Sequence, residues 1–120
     1  MINWPKIFSA LSDETRLRIF LLLLRKELCV CEIVSILGLE QSRISHSLKE
    51  LYNTNLIKNR REGRWNIYFV NPEIKKKSII LDIKKECSVV KQDLKKLNQC
   101  NREDIRKKCK IEDKRNERKT

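Results

Sequence analysis

Residues 28–57 constrain the fold of this chain more than any other stretch. In the first part, apolar side chains recur at the i, i+3, i+4, i+7 spacing of an amphipathic helix. They are Val30, Ile33, Val34 and Leu37. Gly38 follows, as glycine commonly does just past a helix end. A second helix is predicted next, with three aliphatic side chains on its inner face: Ile44, Leu48 and Leu51. Two short helices joined at a glycine predict a helix–turn–helix.

The opposite face of the second helix is polar. Side chains that can hydrogen-bond or carry charge recur there at helical spacing: Ser42, Ser45, His46 and Lys49. In a helix–turn–helix the second helix lies in the DNA major groove, and its N-terminal residues contact base edges. We therefore predict a DNA-contacting set on this helix: Gln41, Ser42, Arg43, Ser45, His46 and Lys49. The alternative interpretation is a helical hairpin whose outer face is merely solvated.

The charge of the chain favours a polyanionic partner. The 28 Lys and Arg against 16 Asp and Glu give a formal net charge of +12, which indicates nucleic acid ahead of a membrane surface. The longest apolar run, residues 19–24, is too short to span a bilayer, and the N-terminus does not resemble a signal peptide. We expect a cytoplasmic protein without a membrane partner, and its odd count of five cysteines predicts reduced thiols rather than a disulfide framework.

A basic hairpin is predicted after the helix–turn–helix. Residues 56–61 and 64–70 are strand-like, with Trp65, Ile67 and Phe69 alternating on one face and Glu62-Gly63 as the tight turn. The hairpin carries the cations Lys58, Arg60, Arg61 and Arg64. Such a wing would contact phosphates beside the recognition helix, supplying affinity rather than sequence reading. We include Arg60, Arg61 and Arg64 among the predicted DNA-binding residues.

Further helices are predicted before the helix–turn–helix and after the hairpin. A short helix opens at Trp4-Pro5, and a second follows the cap-type pair Ser12-Asp13. From Glu73 a long helix is predicted, with an apolar heptad seam: Ile80, Ile83, Cys87, Val90, Leu94 and Leu97. A second copy of the chain would cover that seam, because a symmetric dimer matches the two half-sites of an operator.

These elements predict a mainly α fold with a small β-hairpin wing. It is a winged helix–turn–helix that forms a homodimer through its N-terminal and long C-terminal helices. We place the DNA-binding and dimerisation domain at residues 1–98 and a charged tail, partly helical or disordered, at 99–120. The tail would add non-specific attraction to DNA.

Four segments resemble the signatures of the ArsR/SmtB metal-responsive repressors. They are Ala10–Ile19, Glu27–Glu32, Leu39–Ser45 and Arg61–Trp65. The resemblance runs from residue 5 to about residue 72, in the order and spacing of the family. It implies a homodimeric winged-helix repressor that leaves double-stranded operator DNA when a metal or metalloid binds. The recognition helix departs from the family, which usually has Ser where Glu40 stands and Arg-His where His46-Ser47 stand.

Two cysteines near the start of the first helix are candidate metal ligands. Cys29 falls at the predicted N-cap, with Glu32 three residues later in the capping-box position. A thiol at a helix N-terminus tends to ionise, and thiolates suit soft metals. Cys31 is about 200° further around an ideal helix, so the two sulfurs converge only if Cys29 stays outside the helix or its first turn unwinds. The alternative interpretation is a pair of small buried hydrophobic residues. The family resemblance favours the ligands.

Two thiolates make an incomplete site. Arsenic(III) or antimony(III) would take three sulfurs, whereas Cd(II) or Zn(II) would take four ligands. The family's arsenic sensors have a further cysteine where Val34 stands. The candidates for a further ligand are Cys87, Cys100 and Cys109. Cys87 lies on the heptad seam and is better placed for the dimer core. The zinc site of other members, built from Asp and His, is not visible: Asp82 is present, but His46 is the only histidine.

The leading interpretation is a metalloid-responsive repressor induced by As(III) or Sb(III). A sensor of Cd(II), Pb(II) or Zn(II) on the same scaffold is one alternative, and a winged-helix regulator whose thiols sense redox state is another. A DNA-binding architectural module with inert cysteines is the third. An enzyme is not expected, because the chain lacks a Ser-His-Asp set, a phosphate-binding glycine loop and a convergent carboxylate pair.

Overall fold

The computed structural model describes residues 2–87 and 91–99 of the chain. Its elements in chain order are α1 (Trp4–Leu11), α2 (Glu14–Arg25), β1 (Leu28–Cys29), α3 (Val30–Leu37), α4 (Gln41–Asn53), β2 (Ile57–Glu62), β3 (Trp65–Val70), α5 (Pro72–Lys75), α6 (Ser78–Glu86) and α7 (Lys91–Gln99). This mainly helical architecture with a small antiparallel sheet agrees with the predicted winged helix–turn–helix. Within the described ranges, no helix is long and apolar enough to cross a membrane.

Local capping fixes where the helices begin and end. The Asn3 and Asp13 side chains accept hydrogen bonds from the backbone N–H groups of Lys6 and Arg16, at the starts of α1 and α2. Gly38 ends α3 in the left-handed conformation, with φ +67°, and its N–H donates to the Val34 carbonyl at 2.9 Å. The predicted glycine hinge between α3 and α4 is therefore present.

Helix α2 lies at the centre of the core. Its residues 19–24 are all buried, because a stretch of helix that is apolar on all sides has to be enclosed. It contacts α1, α4, β3 and α7. Helix α4 packs on it and on α3 through Ile44, Leu48 and Leu51, all buried as predicted. This core fixes the orientation of α4, whose other face is left to solvent.

The sheet has three strands rather than the two that were predicted. Their order is β1-β3-β2, and both pairings are antiparallel. Strand β1 escaped prediction because two residues carry no periodicity, and it exists only through its pairing with β3. The hairpin turn is Gly63-Arg64, one residue later than predicted, since Glu62 still pairs with Trp65. Gly63 supplies the positive φ, +60°, that this turn requires.

The predicted long C-terminal helix is wrong in its continuity. That region forms α5, α6 and α7, and Cys87 adopts an extended conformation at the end of α6. The predicted seam side chains pack into the core of the same chain: Ile80 and Leu97 are buried in it, while Ile83, Cys87 and Leu94 are partly buried against it. Val90 lies outside the described residues. A heptad pattern requires an apolar partner surface, and within this chain α2 and α3 contact α7.

Candidate nucleic-acid interface and thiol site

The outward face of α4 is exposed, and it is polar from Gln41 to Lys49. Side chains predicted to contact DNA are brought together there and are all accessible: Gln41, Ser42, Arg43, Ser45, His46 and Lys49. Glu40 is the N-cap residue of α4, although its side chain makes no cap hydrogen bond. A carboxylate thus stands beside the helix end that would approach phosphates. Ser47, one of the two departures from the family at 46–47, is buried on the inner side.

The wing presents further cations beside this face. All residues of β2 after Ile57 are exposed, and so is Arg64 in the turn. Within the described part of the chain, Arg61 and Arg64 have no ion pair. Their guanidinium groups are therefore available to phosphate oxygens.

Arg60 is placed differently from the other wing cations. It donates hydrogen bonds to both carboxylate oxygens of Glu27, at 2.7 and 2.9 Å, and to Glu62 at 3.1 Å. Its guanidinium carbon also lies 5.4 Å from the ring centroid of Phe69. The hydrogen bonds to Glu27 first, and then to Glu62, raise the pKa of Arg60 above its ordinary value. Sequence spacing could not reveal the Glu27 contact, because the two residues are 33 positions apart.

Cys29 stands outside α3, as its N-cap residue. Its backbone is extended, with φ −89° and ψ 167°, and the residue is 2% exposed. The buried Glu32 carboxylate accepts a hydrogen bond from the Cys29 backbone N–H at 3.0 Å, which is one half of the predicted capping box. Cys29 also belongs to β1 and pairs with Ile67 of β3. The condition set for convergence with Cys31, that Cys29 remain outside the helix, is met.

Cys31 follows in the first turn of α3 and is half-buried. It is disulfide-bonded in this structure, which differs from the prediction that all cysteines are reduced thiols. Neither Cys29 nor Cys87 forms a disulfide. The other two candidate ligands, Cys100 and Cys109, lie outside the described residues.

No complete metal site is present within residues 2–87 and 91–99. In that part of the chain, no three His, Cys, Asp or Glu side chains are grouped to hold an ion. Cys87 packs against the core at the end of α6, His46 is exposed on α4, and Asp82 is exposed on α6. Among the described cysteines, Cys29 at the N-cap and Cys31 in the first turn of α3 therefore stay the predicted pair of sulfur ligands.

Comparison with known proteins assigns the family. The family described as "Bacterial regulatory protein, arsR family" matches residues 13–59. The arsenical resistance operon repressor of Bacillus subtilis is 40% identical over 72 residues, which cover 59% of this chain and 69% of that protein. This chain belongs to the ArsR family. The ArsR-type resemblance of the sequence motifs is thereby confirmed, and the relatives are transcriptional regulators rather than enzymes.

Other ArsR-type relatives carry names that refer to different elements. The arsenic resistance transcriptional regulator ArsR2 of Pseudomonas putida is 44% identical over 75 residues, covering 62% of this chain and 65% of that protein. The chain thus spans just under two thirds of that relative's length. The cadmium resistance transcriptional regulatory protein CadC homolog of Staphylococcus aureus is 41% identical over 69 residues, covering 57% of each.

Solved structures of other proteins share the fold. Reduced HlyU from Vibrio cholerae has a TM-score of 0.61 and 32% identity, covering 69% of this chain and 87% of that one. The homodimeric winged helix–turn–helix DNA-binding domain of Mb0332 from Mycobacterium bovis, a possible ArsR-family regulator, has a TM-score of 0.60 and 26% identity. It matches 70% of this chain and 80% of its own.

Proposed function

We propose that this chain is a metalloid-responsive transcriptional repressor that acts in the cytoplasm. Its reduced dimer binds double-stranded operator DNA and is released when arsenite or antimonite binds cysteine thiolates. The observation that carries the proposal is the position of Cys29, which caps α3 from outside the helix two residues before Cys31. This sulfur pair stands at the start of the helix that supports the recognition helix α4.

DNA binding is proposed to use two adjacent surfaces. The exposed polar residues of α4 would enter the major groove, where Ser42 and Ser45 near its N-terminus can meet base edges. Arg61 and Arg64 of the wing would contact phosphates. Arg60 contributes less to this contact, because Glu27 and Glu62 already hold its guanidinium group.

The donor set selects the class of inducer. Sulfur ligands favour soft ions, and trivalent arsenic or antimony needs three of them. We propose Cys29 and Cys31 as two of the ligands, with the third from Cys100, Cys109 or Cys87 of the same or the partner subunit. Cd(II), Pb(II) or Zn(II) on the same scaffold is the alternative, and the Staphylococcus aureus relative named for cadmium resistance supports it.

Capture of an ion would act on DNA through α3. The cap at Cys29 is held by its backbone hydrogen bond to Glu32, and α3 packs directly on α4. Drawing the two sulfurs together strains that first turn and shifts the surface that α4 rests on. A ligand can displace DNA only if it favours the DNA-free arrangement in this way.

The test is the double variant Cys29→Ser with Cys31→Ser, which we expect to fold, to bind operator and not to be induced. Serine is a good N-cap residue, and neither position lies on the outward face of α4. Operator binding is measured with and without arsenite, on protein that has been reduced and then freed of reductant, because dithiols compete for arsenite. The wild type should lose affinity by about 5- to 150-fold, the range typical of such coupling.

A Cys87→Ser variant, measured alongside, serves as the control. It should release DNA like the wild type if Cys87 is only a core residue, and fail to do so if Cys87 supplies the third sulfur. If the double serine variant releases DNA at the arsenite concentration that releases the wild type, Cys29 and Cys31 are not the sensor. Titrations with antimonite, cadmium, lead and zinc on the same DNA rank the inducers.

A second candidate function is thiol-based redox sensing. The disulfide at Cys31 favours it, because the same sulfur cannot bind a metalloid while it is oxidised. Peroxide without any metal should then release operator DNA, a thiol reductant should restore binding, and arsenite should have no effect on the reduced protein.

A further inference from the structure

The side chain of Arg60 reaches across the sheet from the edge strand β2 to the residue just before the other edge strand, β1. It starts on β2, passes over Phe69 of β3, and forms two hydrogen bonds to Glu27, the residue next but one before Cys29. Glu62 holds the same guanidinium group from within β2, at 3.0 Å. One wing side chain is therefore fastened to the segment that leads into the sulfur pair.

The strand register brings the same two regions together a second time. Cys29 is the partner of Ile67, and Ile67 is also the partner of Arg60. The three residues form one row across the sheet. Because neighbouring strands lie about 4.8 Å apart, the backbones of Cys29 and Arg60 are separated by about 10 Å. Two separate connections therefore join the segment around Cys29 to the wing: the backbone pairing of the sheet and the ion pair between Glu27 and Arg60.

We propose that Glu27 is a positioning residue through which the state of Cys29 reaches the wing; the proposal rests on the inducer function given above. When an ion draws Cys29 towards Cys31, β1 and the preceding Glu27 move with it. Arg60 follows its carboxylate partner, and β2 carries the phosphate-contacting Arg61 with it. The wing is thereby displaced together with α4.

The size of the effect follows from the exposure of the pair. Exposed ion pairs contribute little when isolated, whereas bidentate pairs and networks contribute more. The Glu27–Arg60 pair is bidentate and is joined by the Glu62 carboxylate and the Phe69 ring. We therefore expect its loss to reduce the coupling between arsenite and operator by about two- to five-fold rather than abolish it.

The decisive comparison is between Glu27→Gln and Glu62→Gln. Each variant removes one carboxylate charge from Arg60, and the two carboxylates are equally exposed, at 51% of the side chain. Only Glu27 connects β2 to the segment before β1. Both variants should change operator affinity without inducer to a similar extent, because both remove a negative charge near DNA. The ratio of affinities without and with arsenite should fall in Glu27→Gln and stay at the wild-type value in Glu62→Gln.

Amide hydrogen exchange on DNA-free, inducer-free protein gives a second readout. The β2 and β3 amides should exchange faster in Glu27→Gln than in Glu62→Gln, and Arg60→Gln should match Glu27→Gln. Equal ratios and equal exchange in the two glutamine variants would overturn the proposal. If arsenite does not release DNA from the wild-type protein, the proposed inducer function is wrong. The exchange comparison then tests the connection between Glu27 and the wing by itself. Faster exchange in Glu27→Gln than in Glu62→Gln supports that connection, and equal exchange overturns it.

Discussion

At the scale of single residues, the most informative departure from the sequence pattern is Asp93. The heptad pattern places it among the solvated flanks of a helix, yet it is 3% exposed. The Arg18 guanidinium donates hydrogen bonds to both of its carboxylate oxygens at 2.9 Å, joining α7 to α2. This pair raises the pKa of Arg18.

Replacing Asp93 with Ala should destabilise the fold by about 2 kcal/mol. Removal of one partner from a fully buried pair costs about 3–5 kcal/mol, and the figure here is lower because the Arg18 side chain is 22% exposed. The measurement is equilibrium unfolding in urea, with Asp82→Ala as the control at an exposed aspartate of α6. Indistinguishable midpoints for the two variants would mean that the pair does not hold α7.

At the scale of elements, the wing separates cations by their contacts. Arg61 and Arg64 are available to DNA, whereas Arg60 is held on the sheet by two carboxylates. The three were indistinguishable in the sequence, where each was simply a basic residue of a hairpin. The difference arises from strand pairing, which brings residue 27 beside the wing.

Neutralising the available cations should flatten the salt dependence of operator binding. Each phosphate contact contributes about −0.9 to the slope of log K against log salt. Arg61→Gln with Arg64→Gln should therefore reduce the slope by up to about 1.8 per protomer, and Arg60→Gln by clearly less. Base preference should remain unchanged in these variants and should change in Ser42→Ala. If Arg60→Gln reduced the salt slope as much as Arg61→Gln does, Arg60 would contact phosphate as directly as Arg61, and the distinction between the two would be wrong.

At the scale of the whole molecule, the proposed dimer has exposed apolar side chains available outside the heptad seam. The seam is used within the chain, whereas Phe8 of α1 and Ile79 and Leu81 of α6 are exposed, by 50%, 43% and 43%. Trp4 stacks on Phe8 at 5.9 Å between ring centroids. We expect α1 and α6 to supply the apolar contact between subunits.

Substituting Phe8→Ser together with Leu81→Ser should give folded monomers that bind operator weakly. Ile83→Asp with Leu94→Asp should instead unfold the chain, because both side chains pack against its own core. Sedimentation reports the oligomeric state and far-UV circular dichroism the fold. Tyr52→Ser, at a comparably exposed aromatic residue of α4, is the control and should stay dimeric. Folded monomers from the seam variant would reverse the assignment.

How much of the molecule is predictable follows from the range of the interactions involved. Features that depend on residues close together in the sequence were predicted correctly: the Gly38 turn, the Asp13 cap and the buried face of α4. Features created by distant pairing were not. Strand β1 forms only by pairing with β3, and Arg60 is held by Glu27, which is distant in the sequence. Heptad spacing likewise does not determine whether the same chain or a second one covers the apolar seam.

The position of Cys29 at the edge of the sheet has a consequence for how such a regulator diversifies. The proposed sulfur donors lie at the start of α3, while the proposed base-reading face belongs to α4 and includes neither of them. We therefore expect substitutions at Cys29 and Cys31 to change the response to an effector without altering which promoter is recognised. For engineering, we expect that a biosensor built on this scaffold can be given a new analyte by changes around Cys29 and Cys31 while it still controls the same output gene.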